Sequence, residues 1–291
     1  MKELRNRVAV VTGGASGIGR AMARAFLREG MKVVIADVEE EAISRTLAEL
    51  GEGEVAGIRT DVSDADSVES LAEEVFSRFG ACHLLCNNAG VSVGSTDVWE
   101  TTLNDWKWVH GVNVMGVVHG ILSFVPRMRA SGQEGLILNT SSGDGGISPL
   151  AGQSVYASSK AAISTMTECL AAQLAAEDGG RLRAAIFYPS GGMLDTGLWT
   201  TWRNRPEALA REKSYPEGAQ PTFEEFQSAA KEAGFDLPVQ NLDELAGHLV
   251  EGIRAGDFVI MIGREMIEAQ LKERAENLAA GRCPIGAGVM G

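Results

Sequence analysis

Short apolar runs alternate along the chain with segments in which apolar residues recur every three or four positions. Arg7 to Gly13 (RVAVVTG) reads as a strand, and the following GIGRAMARAFLREG sets Ile18, Met22 and Phe26 on one helical face. Met31 to Asp37 is a second strand, EEEAISRTLAELG a second helix, and Val55 to Val62 a third strand. The next segment, SDADSVESLAEEVFSRFG, opens on a cap at Ser63 and keeps Leu71, Val75 and Phe79 at helical spacing. Further strands are expected at His83 to Gly90, Gly135 to Ser142, Arg181 to Ser190 and Asp257 to Gly263, with helices from about Leu103 to Arg129 and from Ser154 to the glycines at 179 and 180. Apolar runs without a polar face mean burial on both sides. The pattern therefore predicts an α/β protein: a doubly wound parallel sheet of about seven strands between two layers of helices.

Between 195 and 240 the alternation stops. This stretch holds four of the eight prolines and no clean strand, the signature of a functional insertion such as a substrate lid. No repeat or linker divides the chain, so residues 1–291 are expected to form one domain, with 281–291 as an aperiodic tail.

Composition narrows the partners. With 26 Lys+Arg against 39 Asp+Glu the formal charge is −13, which repels nucleic-acid phosphates. The start enters a strand almost at once with no leader, and no apolar run reaches membrane-spanning length; a cytoplasmic protein is expected. Four scattered cysteines form no disulfide framework. Cys82, His83 and Cys86 offer no evident fourth ligand, so no metal is expected.

Thr12 to Gly19 (TGGASGIG) joins the first strand to the first helix, and its glycines let the backbone approach a pyrophosphate at the helix N-terminus. Asp37, ending the second strand, can accept hydrogen bonds from both hydroxyls of an adenosine ribose and would repel a 2′-phosphate. Neither Val38 nor Ser16 brings a compensating charge. NAD(H) is therefore expected over NADP(H), with Asp61 near the adenine.

Gly13, Gly17 and Gly19 in TGxxxGxG, then NNAG (Asn87 to Gly90), Asn113, NTSS and the pair Tyr156 and Lys160 in YxxxK resemble, in this order, the short-chain dehydrogenase/reductase family in its single-domain branch. The likeness covers about residues 5–195 and 240–265. It implies a Rossmann fold, a dimer or tetramer assembled through the two long helices, and an oxidoreductase interconverting a secondary alcohol and a ketone. It implies a catalytic set of Asn113, Ser142, Tyr156 and Lys160, and a dinucleotide held by Gly13, Ser16, Gly17, Ile18, Gly19, Asp37, Val38, Asp61, Val62, Asn88, Ala89, Gly90, Tyr156, Lys160, Pro189 and Thr196. Alternatives are a dinucleotide sensor that lost the chemistry and an epimerase- or dehydratase-type relative.

The chemistry stands by itself. A carbonyl accepting hydride needs a proton, and tyrosine can give one, but its ordinary pKa of about 10 suits neutral pH poorly. Lys160 lies one turn on, and a cation about 4 Å away at an effective dielectric of about 20 is worth roughly 4 kcal/mol, or about three pKa units. A lowered tyrosine pKa is the expectation. Serine adds a hydrogen bond to the substrate oxygen. The family spacing is thirteen residues before the tyrosine, where this chain has Gly143; Ser142 is preferred, with Ser141 as the alternative.

After the sixth strand the chain departs from the family pattern: Pro189 precedes Ser190 where a glycine is usual, and Thr196 comes late. Trp199, Trp202, Tyr215, Phe223 and Phe226 follow. They either wall the site against a bulky apolar or aromatic substrate or pack the lid itself.

Overall fold

The computed structural model describes residues 1–51, 53–177, 179–235 and 237–285. Residues 286–291 of the expected tail lie outside that range. Seven strands, β1 (Val8–Thr12), β2 (Lys32–Asp37), β3 (Val55–Arg59), β4 (Leu84–Asn87), β5 (Gly135–Thr140), β6 (Leu182–Phe187) and β7 (Val259–Ile260), form one parallel sheet in the order β3-β2-β1-β4-β5-β6-β7. The helices between them are α1 (Gly17–Arg28), α2 (Glu40–Leu50), α3 (Ala65–Phe79), α4 (Leu103–His110), α5 (Gly116–Ser131), the single turn α6 (Gly143–Gly146), α7 (Ser154–Glu177), α8 (Phe223–Glu232), α9 (Leu242–Ala255) and α10 (Arg264–Ala279).

Strand alternation explains the layers. Ala9 and Val11 of β1 join Val33, Ile35, Leu84 and Cys86 on one face, against Met22 and Phe26 of α1 and Leu245 and Leu249 of α9. Val8 and Val10 join Val34, Leu85 and Ile137 on the other, against Leu71 and Val75 of α3, Phe124 of α5 and Leu174 of α7. Both faces are covered, which is why the strands are apolar throughout. Strand order reverses between β1 and β4, and in such sheets the crevice outside the strand C-termini at that point receives the ligand.

Three expectations need correction. The cap of α3 is Asp64, whose carboxylate accepts the Asp66 N–H at 3.0 Å, while Ser63 donates to Asp61. The single helix expected to Arg129 contains a π-turn, Gly111–Met115, between α4 and α5. The continuous span Leu103–Ser131 is also long and apolar enough to cross a membrane, with a mean hydropathy of 1.4 in its most apolar window, contrary to the expected absence of such a run. Half of that window is buried inside the protein, where Val109, Val117 and Phe124 supply core surface.

Candidate active site

The cradle begins where β1 ends. Gly13 and Gly17 have φ of 63° and 48°, in the left-handed region open to glycine, and a Cβ on Gly19 would sit 2.1 Å from the Gly13 carbonyl oxygen. Three glycines thus let the chain reverse tightly and aim the N-terminus of α1 into the crevice. Ser16 starts the helix without a side-chain cap, so its first N–H groups keep their capacity for an anion. The loop after β4 is tied in by Thr12, whose Oγ1 accepts the N–H groups of Asn88 (2.9 Å) and Ala89 (3.1 Å), while Asn88 Nδ2 donates to the Thr12 carbonyl.

Asp37 ends β2 beside this cradle. Its carboxylate accepts the N–H of Ala15 at 3.1 Å and of Glu39 at 3.2 Å, and burial pushes its pKa up. Asp61 accepts the N–H and hydroxyl of Ser63, leaving it beside Val62 at the end of β3. Every residue expected to hold the dinucleotide lines one cleft of about 590 Å³, including Pro189 and the late Thr196, whose Cβ would stand 3.2 Å from a Cβ on Gly17. A mostly backbone cradle, an uncapped helix N-terminus and an acid at the far end fit a dinucleotide.

Tyr156 and Lys160 face the same cleft from the first turns of α7. Lys160 Nζ lies 5.5 Å from the centroid of the tyrosine ring and donates to the Thr140 carbonyl at 2.9 Å. The expected fall in the tyrosine pKa does not occur. Burial pushes the phenol up to about 12, the Ser142 hydroxyl bonded to it pulls the other way, and the Asp144 carboxylate raises it further. Burial also pushes Lys160 down to about 8. In the protein alone, loss of solvation is the largest influence on both groups.

The two serines of NTSS part company. Ser141 is buried, donating to the Lys160 carbonyl at 2.9 Å and sharing a hydrogen bond with Ser164 Oγ at 2.8 Å. Ser142 points into the cleft beside the phenol, its oxygen accepting the Asp144 N–H at 3.2 Å. That leaves the Ser142 proton to be donated. In the loop that follows, Gly145 has φ of 90°, and a Cβ there would meet the Ala157 carbonyl at 2.0 Å, so the loop lies flat on α7 only without a side chain.

Asn113 does not line the cleft. It occupies the π-turn, fully buried, where its Oδ1 accepts the Val91 N–H at 2.8 Å and its Nδ2 donates to the Val91 carbonyl and Ser159 Oγ. A Cβ on Gly90 would be 3.5 Å from Asn113 Oδ1 and 3.6 Å from Lys160 Nζ, so the two side chains close behind the same glycine. Cys82 and Cys86 are buried in the two cores, and His83 Nδ1 accepts the Val8 N–H while its other ring nitrogen shares a hydrogen bond with Gln133.

The aromatic residues of 195–240 divide. Trp199 lines the cleft, its Nε1 donating to the Leu194 carbonyl, with Phe226 (centroids 5.1 Å apart) and Phe223 (5.7 Å) packed behind it. Trp202 is exposed away from the cleft, and Tyr215 stacks under the Arg211 guanidinium. A second indole that the sequence reading did not single out, Trp108 of α4, also lines the cleft and belongs to a buried apolar cluster with Val91, Val93 and Val155. Its place on a buried helical face was readable; its approach to the cleft was not. Arg203 was missed too: its Nη2 donates to Glu39 Oε1 at 2.7 Å, so a cation stands two residues past Asp37 in the cleft lining.

The family model described as short chain dehydrogenase matches residues 7–207. The C alpha-dehydrogenase of Sphingobium sp. (strain NBRC 103272 / SYK-6) is 44% identical over 173 residues, which is 58% of this chain and only 55% of that protein. A short chain dehydrogenase/reductase from Burkholderia phymatum in complex with NAD superposes with a TM-score of 0.86 at 37% identity, over 98% of this chain and 99% of the other. A metagenomic short-chain oxidoreductase in complex with NADP gives a TM-score of 0.60 at 29% identity, over 65% of this chain and 84% of the other.

Proposed function

The chain belongs to the short chain dehydrogenase family of oxidoreductases, and from that premise we propose that it interconverts a bulky, apolar or aromatic secondary alcohol and its ketone with NAD(H). The observation that carries this reading is that Ser142, Tyr156 and Lys160 line the same cleft as Asp37 and the Gly13 to Gly19 turn. The nicotinamide, when bound, donates or accepts the hydride. Gly13 to Gly19 and the first turn of α1 hold its pyrophosphate, and the Asp37 carboxylate takes the ribose hydroxyls. In ketone reduction Tyr156 gives its phenolic proton to the substrate oxygen while the Ser142 hydroxyl donates a second hydrogen bond to the charge developing there. In alcohol oxidation the phenolate receives the proton, with the Lys160 cation beside it. Trp108, Leu150, Leu194, Trp199 and Leu209 give the substrate end an apolar lining, which supports a bulky apolar substrate over a sugar.

A panel of ketones and alcohols with both nicotinamide cofactors tests this. Tyr156→Phe should lower kcat by about a thousandfold or more, the upper range for a proton-transfer group, while NADH still binds. The pH dependence has a definite sign. A phenol pushed up to about 12 keeps its proton at neutral pH, so reduction, which spends that proton, should hold steady from about pH 6 to 8, whereas oxidation should climb with pH. Turnover undiminished in the phenylalanine variant, or oxidation falling as pH rises, would remove Tyr156 from the mechanism.

A further inference from the structure

The cation at Glu39 comes from 164 residues along the chain and is already engaged. Arg203 uses Nη1 to hold its own segment, donating to the carbonyls of Gly197 (2.9 Å) and Thr200 (2.9 Å) and to Thr200 Oγ1 (3.0 Å). Its other edge faces Glu39, with Nη2 to Oε1 at 2.7 Å and Nε to Oε2 at 3.4 Å, and Asn204 Nδ2 adds 2.8 Å to the same Oε1. Glu39 is two residues past Asp37 and donates its N–H to the Asp37 carboxylate. Asp37, Val38, Glu39, Arg203, Ser16 and Gly17 all line the cleft. The nearby Arg45 is exposed and paired with Glu41. Among the described residues, Arg203 is the arginine that lines the cleft.

We propose that the Glu39–Arg203 pair is a specificity determinant that works with Asp37 to exclude the 2′-phosphorylated dinucleotide. The pair has this role if, as proposed above, the cleft holds a dinucleotide with its ribose at Asp37. Two carboxylates and one guanidinium leave this end with one net negative charge, whereas a 2′-phosphate brings nearly two more. A free guanidinium would clasp such a phosphate through two parallel N–H bonds. Glu39 occupies that donor edge. It thus turns a potential phosphate receptor into a neutral pair, and Arg203 cannot leave without exposing the acid.

Dissociation constants of NAD+ and NADP+ for the wild type and Glu39→Gln, Arg203→Gln and doubly substituted proteins test the pair. Glu39→Gln should lower the ratio Kd(NADP+)/Kd(NAD+) about tenfold, the worth of one charge-assisted contact. Arg203→Gln, which leaves both acids unbalanced, should raise it. The double variant should lose the gain. A ratio within twofold of wild type in Glu39→Gln, or the same gain with Arg203 removed, overturns the proposal, the latter because relief of repulsion alone would then suffice. Asp37→Ala is the separate arm: if it leaves the Kd of NAD+ unchanged, it is the assignment of the ribose end that falls.

Discussion

The two walls of the cleft are held by different materials. Residues 12–19, 37 and 87–90 form a wall whose surface is largely glycine backbone, tied at the ends of neighbouring strands by bonds between backbone groups and the short side chains of Thr12, Asp37 and Asn88. Residues 194–215 form a wall held by side chains. Buried Asp105 of α4 accepts from Arg205 Nη1 at 2.7 Å, from Arg211 Nε at 3.0 Å and from the Thr102 N–H at 2.9 Å, and Arg205 lies over the Trp108 ring at 5.0 Å. Thr201 Oγ1 adds a bond to the Ser92 carbonyl, and Arg203 reaches Glu39. The backbone wall has one way to be built, so it suits a cofactor of constant shape. The side-chain wall can change with each substitution and suits the choice of substrate.

Substitutions that trade one material for the other break this comparison at different depths. Gly19→Ala should do most, since its Cβ would fall 2.1 Å from the Gly13 carbonyl oxygen and neither backbone atom can move without opening the turn. A rise in the NADH Kd of about a thousandfold, or about 4 kcal/mol, is expected in a fluorescence titration. Asp105→Asn should act on the other wall. Burial works to raise the Asp105 pKa, but Arg205, Thr102 and Arg211 together hold it below the ordinary carboxylate range. Removing the charge should cost about 2–3 kcal/mol of local stability, as for hydrogen bonds to charged groups, and appear as protease cleavage within 195–215 and a higher ketone KM. The sign in pH follows from the depressed pKa: the carboxylate's contribution is present above the ordinary aspartate value of about 4 and is lost as the pH falls below it, so acid should reproduce the variant.

The smallest effects separate the two tryptophans. Trp199→Ala removes the indole that lines the cleft and leaves Phe223 and Phe226 without their partner. A loss of about tenfold in kcat/KM is expected for a bulky ketone, close to the value of a lost hydrophobic contact, with little change for a small one. Trp202→Ala, at a side chain 42% exposed and off the cleft, should leave both within about twofold. Equal effects from the two would mean that Trp199 does not contact the substrate.

Much of this was legible without coordinates. The seven strands were readable because apolar runs bounded by turns carry their own period, and the cradle because glycine spacing reports backbone conformation. Strand ends shortened, β7 to Val259–Ile260, while the cap at Asp64 rather than Ser63 and the π-turn around Asn113 depend on which neighbouring group offers a hydrogen bond. Asn113 was found at its expected place in the chain yet behind the cleft, held by Val91 and Ser159. Its residue type could be read; its partners, 22 and 46 residues away, could not.

Read from residue order alone were the sheet, the glycine-rich turn after β1, the acid at the end of β2 and a tyrosine one helical turn before a lysine. Each depends on backbone geometry or on side chains within a few positions of one another, and such relations are fixed locally. Tertiary structure decided which serine faces the phenol, that burial raises the Tyr156 pKa, that Trp108 and Trp199 line the cleft while Trp202 faces water, and that Arg203 stands on Glu39. Those outcomes turn on desolvation and on charges brought together from 100 or more residues apart, quantities that exist only after the chain has packed.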